Sequence, residues 1–129
     1  MAVTPGMRGE ASLTVDQAHT ASALGSGNVP TLGTPALVAL LERAAVHAVR
    51  KGIESGQETV GTLVSVRHLS PTPIGKHVRA LAVVTGVEGR TITLEVSASD
   101  SSGKIAEGTH ERVVVNREQF IWNAASRGI

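Results

Sequence analysis

The stretch TPALVALLERAAVHAVRKG, residues 34–52, decides the fold. Pro35 suits the first position of a helix, where a missing N–H costs nothing. Thr34 before it can act as the N-cap through its hydroxyl. Leu37, Leu40, Leu41, Ala44, Ala45, Ala48 and Val49 then recur at spacings of three and four and make one apolar face. Arg43, Arg50 and Lys51 lie off that face, and the last two suit the negative end of the helix dipole. Gly52 follows where a C′ glycine is expected. Apolar residues cover most of the circumference, so the helix is expected to be largely wrapped by other elements.

What surrounds it reads as strands. After the polar turn Glu54–Glu58 the period changes from helical to alternating. Residues 59–70 (TVGTLVSVRHLS) form a predicted strand ended by Pro71 and Pro73. Residues 77–87 form the next, and Glu88-Gly89 is a tight turn. Residues 90–99 alternate Ile92, Leu94, Val96 and Ala98 against Thr91, Thr93, Glu95 and Ser97. Asp100 to Gly103 turns the chain into a last strand over 104–116. On the other side of the helix, Ala11, Leu13 and Val15 alternate with polar residues within 9–21. Residues 22–33 (SALGSGNVPTLG) read as a loop. The start, 1–8, reads as flexible or loosely docked. The tail is 121–129, and a short helical turn is expected somewhere after Arg117. The order is strand, loop, buried helix, then four consecutive antiparallel strands. An antiparallel sheet needs cover on one face, and one long apolar helix supplies it. The predicted class is α+β, a hotdog fold in which a curved sheet wraps one central helix. The whole chain, 1–129, reads as a single domain. Such a sheet leaves an open edge that a second copy can extend.

Composition removes several functions. Of 129 residues 41% are hydrophobic, enough for a core. The net charge of +1 gives no electrostatic reason for a nucleic acid or an anionic membrane as partner. The only aromatic residues are Phe120 and Trp122, so the body of the chain has no stacking platform for bases. With no cysteine there is no disulfide, thiolate metal site or cysteine nucleophile. No run is apolar enough to span a bilayer, and no secretory leader is visible, so a cytoplasmic protein is expected. No histidine pair has metal-ligand spacing, and no glycine-rich phosphate loop occurs. Neither a metal nor a cofactor is expected.

Three polar residues stand beside the apolar interior. Glu42, in the middle of the helix, is either an ordinary surface glutamate or a carboxylate serving as base or nucleophile. His68, near the end of the 59–70 strand, is either a histidine with a satisfied ring or a proton carrier near neutral pH. Thr34 is a cap on one reading. On the other it also sits where free N–H groups and the helix dipole favour a developing anion. His19, His47, His77 and His110 are weaker candidates, and His110 reads as structural.

Two stretches carry a resemblance. GTLVSVRHLSPTPIG (61–75) and GTHERVVVNREQF (108–120) are similar to the fluoroacetyl-CoA thioesterase family of hotdog proteins, with GTHER the most specific part. The resemblance runs from about Thr34 to Phe120. It implies a thioesterase that hydrolyses an acyl-CoA, or an acyl-carrier thioester, to the free acid. It also implies Thr34, Glu42 and His68 as the catalytic set and Gly61 and Arg112 as substrate-binding residues. The Gly61 N–H would donate to the thioester carbonyl oxygen, and the site would lie at the interface of a homodimer. Fluoroacetate-specific members place aromatic rings in a lid over the acyl group. Here the matching stretch, Gly25 to Pro30, has none, so a different or broader choice of short or medium acyl group is expected. The alternatives are a non-catalytic acyl-CoA-binding module and a hotdog acyl-CoA hydratase, although the short Asp/His motif of the hydratases is absent.

Overall fold

The computed structural model describes residues 2–127; Met1, Gly128 and Ile129, at the ends of the expected start and tail, lie outside the described residues. In chain order the elements are β1 (Arg8–Thr14), a 3-10 turn (Gln17–His19), the short helix α1 (Ala21–Leu24), the long helix α2 (Thr34–Val49) with a 3-10 extension (Arg50–Gly52), β2 (Gln57–His68), β3 (His77–Glu88), β4 (Thr91–Asp100), β5 (Gly103–Asn116) and α3 (Arg117–Ala125). All strand pairs are antiparallel, in the order β1-β3-β4-β5-β2. This is the α+β hotdog arrangement.

The alternating residues of the strands explain how the sheet closes on α2. Val78, Ala80, Ala82 and Val84 on β3, and Ile92, Leu94, Val96 and Ala98 on β4, are all buried. They pack against the face of α2 formed by Leu37, Leu40, Leu41, Ala44, Ala45, Ala48 and Val49. Burying aliphatic side chains of this size stabilises a fold by about 1.5–3 kcal/mol each. Gly9 lets β1 cross α2 closely, since a Cβ there would collide with the backbone of Ala44 and Ala48. Small side chains at the helix–sheet contact let a single helix nest in so curved a sheet.

Three local expectations are corrected. The N-cap of α2 is Gly33, not Thr34; Thr34 is the first helical residue, and its hydroxyl turns away from the helix backbone toward β2. The helix narrows to a 3-10 turn after Val49, and Gly52 does not adopt the left-handed conformation of a C′ glycine. Gly52 is required instead by close approach, because a Cβ there would sit 2.7 Å from the Val3 nitrogen. Third, β2 does not pair with β3, which follows it. The connection through Pro71 and Pro73 is no hairpin, and β2 crosses to the far edge to pair with β5. Residues 22–33 are more ordered than a plain loop, with α1 at their start and a bridge from Thr31 to Pro73 near their end. The start of the chain is anchored as well, since the Gly6 N–H donates to the Val84 carbonyl. The helical turn expected after Arg117 is the nine-residue α3, capped by the Asn116 side chain.

Candidate functional site

The five candidate residues fall into two groups. Thr34 opens α2, and its Oγ1 lies 2.9 Å from Nδ1 of His68 at the end of β2. His68 is half-buried, and its Nε2 makes no well-aligned hydrogen bond among the described residues. Burial lowers the pKa of this histidine below the ordinary value, an effect partly offset by the Ser70 backbone. A neutral imidazole donates at one nitrogen and accepts at the other, according to its tautomer, and so can move a proton between groups. Beside this pair lies a cavity of about 330 Å³, bounded by Ala21, Val29, Leu32 and Leu69. A larger hollow, about 430 Å³, lies on the outer face of the sheet and touches none of the candidates.

Glu42 belongs to the second group, two helical turns further along α2. At 1.5 Å per residue this separates it from Thr34 by about 12 Å. Its Oε2 accepts from Arg112 Nη1 at 3.1 Å. Arg112 is buried on β5 and is held from several sides: Nε donates to Thr59 Oγ1 at 3.0 Å, and Nη2 donates to the Thr59 carbonyl at 2.8 Å. Thr59 thus fixes the plane of the guanidinium, which reaches Glu42 through Nη1 alone. Gly61 lies directly over Glu42. A Cβ there would strike Glu42 Oε2 and approach Arg112 Nη1 to 3.3 Å. Among the described residues, no hydrogen bond or ion pair joins Glu42 to Thr34 or His68. Nor do three His, Asp or Glu side chains gather as metal ligands.

His110 reads as structural in the sequence, yet it belongs to the second group. Its Nε2 is 3.1 Å from Arg112 Nη1 and 3.9 Å from Glu42 Oε2. The alternation of GTHER held the signal, since residues two apart on a strand share a face. Thr59 gave no sign of its role, because its partner Arg112 is 53 residues away in the chain.

Half-buried His68 and buried His110 make the fold sensitive to acid. Burial also lowers the pKa of His110; the Leu63 carbonyl opposes this, Arg112 adds to it, and Glu42 opposes it. In the unfolded chain both rings titrate near 6.5. Below that pH the unfolded state binds more protons than the folded state, so stability is fully present above it and falls as pH drops. The melting temperature is therefore expected to decrease from pH 7 to pH 5. Calorimetry of His68→Gln should show a weaker decrease; an unchanged pH slope would contradict the assignment.

Comparison with known proteins identifies the family. The model of the fluoroacetyl-CoA-specific thioesterase family matches residues 15–118. A fluoroacetyl-CoA thioesterase of Streptantibioticus cattleyicolor is 40% identical over 84 residues, which span 65% of this chain and 60% of that protein. The solved structure of the fluoroacetyl-CoA thioesterase FlK superposes with a TM-score of 0.92 at 30% identity, covering 100% of both chains. A thioesterase superfamily member from Thermus thermophilus, described as a hypothetical protein, superposes with a TM-score of 0.82 at 26% identity, over 95% of this chain and 97% of that one. The chain belongs to the fluoroacetyl-CoA-specific thioesterase family.

Proposed function

We propose that the protein is a thioesterase that hydrolyses a short or medium acyl-CoA to the free acid and CoA. It acts as a homodimer whose two sites each draw on both copies. The observation that carries this reading is the placement of the two half-sites along the free edge of β2, Glu42 beside Gly61 and Thr34 beside His68. Gly61 to Ser65 of β2 are all exposed, including Leu63 at 43% and Val64 at 40%. Edge strands are usually guarded by charge or proline, and this segment has neither.

The register of the strand narrows how two copies can pair. Gly61 pairs with Arg112 and Leu63 with Glu111, so Thr62 is an extra, bulged residue. Its insertion places Gly61, Val64, Val66 and His68 on the face toward α2, because their β5 partners Arg112, His110, Gly108 and Ala106 face that way. Antiparallel self-pairing must set like faces together. Centred on Ser65, it sets Val64 against the partner's Val66 and the Gly61–Thr62 bulge against the partner's His68. Glu42 of one copy is then brought to Thr34 and His68 of the other, closing a gap that one chain leaves open.

In such a site Glu42 either orients the water that attacks the thioester carbonyl, or attacks it directly, expelling the thiolate and leaving an acyl–Glu42 anhydride that water then cleaves to the free acid. His68 takes a proton from the attacking water and passes it to the thiolate. Thr34 holds His68, Arg112 holds Glu42, and the Gly61 N–H donates to the oxyanion. Hydrolysis needs only these groups and water, in the cytoplasm where no cofactor has to be supplied. The acyl group lies in the cavity beside His68, whose walls Ala21, Val29 and Leu32 are aliphatic. The segment Gly25–Pro30 over it carries no aromatic ring. The test is thiol release from acyl-CoAs of two to ten carbons, with fluoroacetyl-CoA included. Turnover that favours a longer aliphatic group over fluoroacetyl supports the reading. No turnover on any member would move a non-catalytic binding role into its place.

A further inference from the structure

His110 is 1% exposed and lies at the centre of the Glu42 group without touching the acyl cavity. Its Nδ1 is 2.7 Å from the Leu63 carbonyl. A carbonyl only accepts, so Nδ1 carries the proton. Its Nε2 faces Arg112 Nη1 at 3.1 Å, and a guanidinium only donates, so Nε2 presents its lone pair. The two contacts fix one tautomer from both ends. The Arg112 Nη1 that donates to His110 also donates to Glu42. Leu63 is the first paired residue after the bulge at Thr62, so the ring also ties this set to the bend in β2 beside Gly61.

We propose that His110 is a positioning residue: as a neutral acceptor it aims the Arg112 guanidinium and thereby the Glu42 carboxylate. This inference rests on Glu42 being the reacting carboxylate. The charged groups facing the ring are Arg112, on its own strand, and Glu42, on α2. β2 and β4 face it with Val64 and Leu94, its ladder partners, which carry no charge. Protonation would turn Nε2 into a donor directed at a donor and place a second cation beside Arg112. Nη1 would lose that acceptor, and Glu42 Oε2, 3.9 Å from Nε2, would be drawn toward the imidazolium and out of its present position.

Two variants separate the two ends of the ring. His110→Gln keeps an acceptor where Nε2 stood but cannot titrate. His110→Asn keeps a donor for Leu63 but offers Arg112 nothing. His110→Asn is expected to lose roughly 10²-fold in kcat with KM little changed, the cost of a carboxylate misplaced by about 1 Å. His110→Gln should retain kcat within about threefold, and the acid limb of its log kcat/KM profile should fall with the slope of one ionisation where wild type falls with that of two. Wild-type kcat in His110→Asn, or an unchanged two-group slope in His110→Gln, would overturn the proposal. Nitrogen-15 spectra of the wild-type ring decide independently of whether either variant folds. The Nδ1–H tautomer at neutral pH is expected, and the Nε2–H tautomer or an imidazolium there would overturn it. If wild type hydrolyses no thioester the functional reading fails, and the spectra still decide the state of His110.

Discussion

Glu42→Gln and His68→Ala are each expected to lower kcat by at least about 10³-fold, because groups that act as a unit lose most of their effect when any one is removed. Neither change should unfold the protein. The amide introduced by Glu42→Gln keeps an oxygen for Arg112, and Glu42 is already 40% exposed. His68 is only half-buried, at the rim of a cavity. The informative result is their mixture. If each site takes Glu42 from one copy and His68 from the other, a mixed dimer has one intact site and one that is doubly defective. Random reassociation of equal amounts, after dilution from denaturant, makes half of the dimers mixed, so about a quarter of wild-type activity should return. Activity no higher than that of the parents alone would refute a shared site. It would leave each chain to bridge on its own the gap between Thr34 and Glu42.

Gly61→Ala is expected to cost roughly 10²–10³-fold in kcat, although it adds a single methyl group to an exposed residue. The new Cβ would collide with Glu42 Oε2, the free end of a flexible side chain, while Arg112 Nη1 at 3.3 Å limits retreat on one side. The carboxylate must move, and a displacement of about 1 Å is enough for a loss of this size. The backbone N–H of residue 61 is unchanged, so the loss would report the position of Glu42 rather than a missing oxyanion donor. Melting temperature should stay near wild type. An active Gly61→Ala enzyme would mean that the Glu42 carboxylate does not react from its observed position.

The fold was legible from short-range pattern. The three-and-four spacing from Leu37 to Val49 marks the buried face of α2. The alternation from Thr91 to Ser99 marks a sheet with one face covered. Both are consequences of helical and strand periods, which act between neighbours in the chain. The helix boundaries were less legible. Thr34 before Pro35 has the composition of a cap, and only the arrival of His68 from 34 residues away draws its hydroxyl elsewhere. Gly52 resembled a helix terminator, but the constraint on it comes from Val3, across the fold.

The candidate residues could be named from the chain, while their grouping could not. Thr34, Glu42 and His68 are individually ordinary, and only the resemblance of GTLVSVRHLS and GTHER to a known family joined them. What tertiary structure decided is that Thr34 and His68 form one pair and that Glu42 joins Arg112 and His110 in another. It also decided that a bulge at Thr62 faces both halves of β2 toward the helix. Sequence by itself determined the periods that build a helix inside a sheet. Which distant side chains meet depends on strand order and register, and these are set when the whole sheet closes around α2.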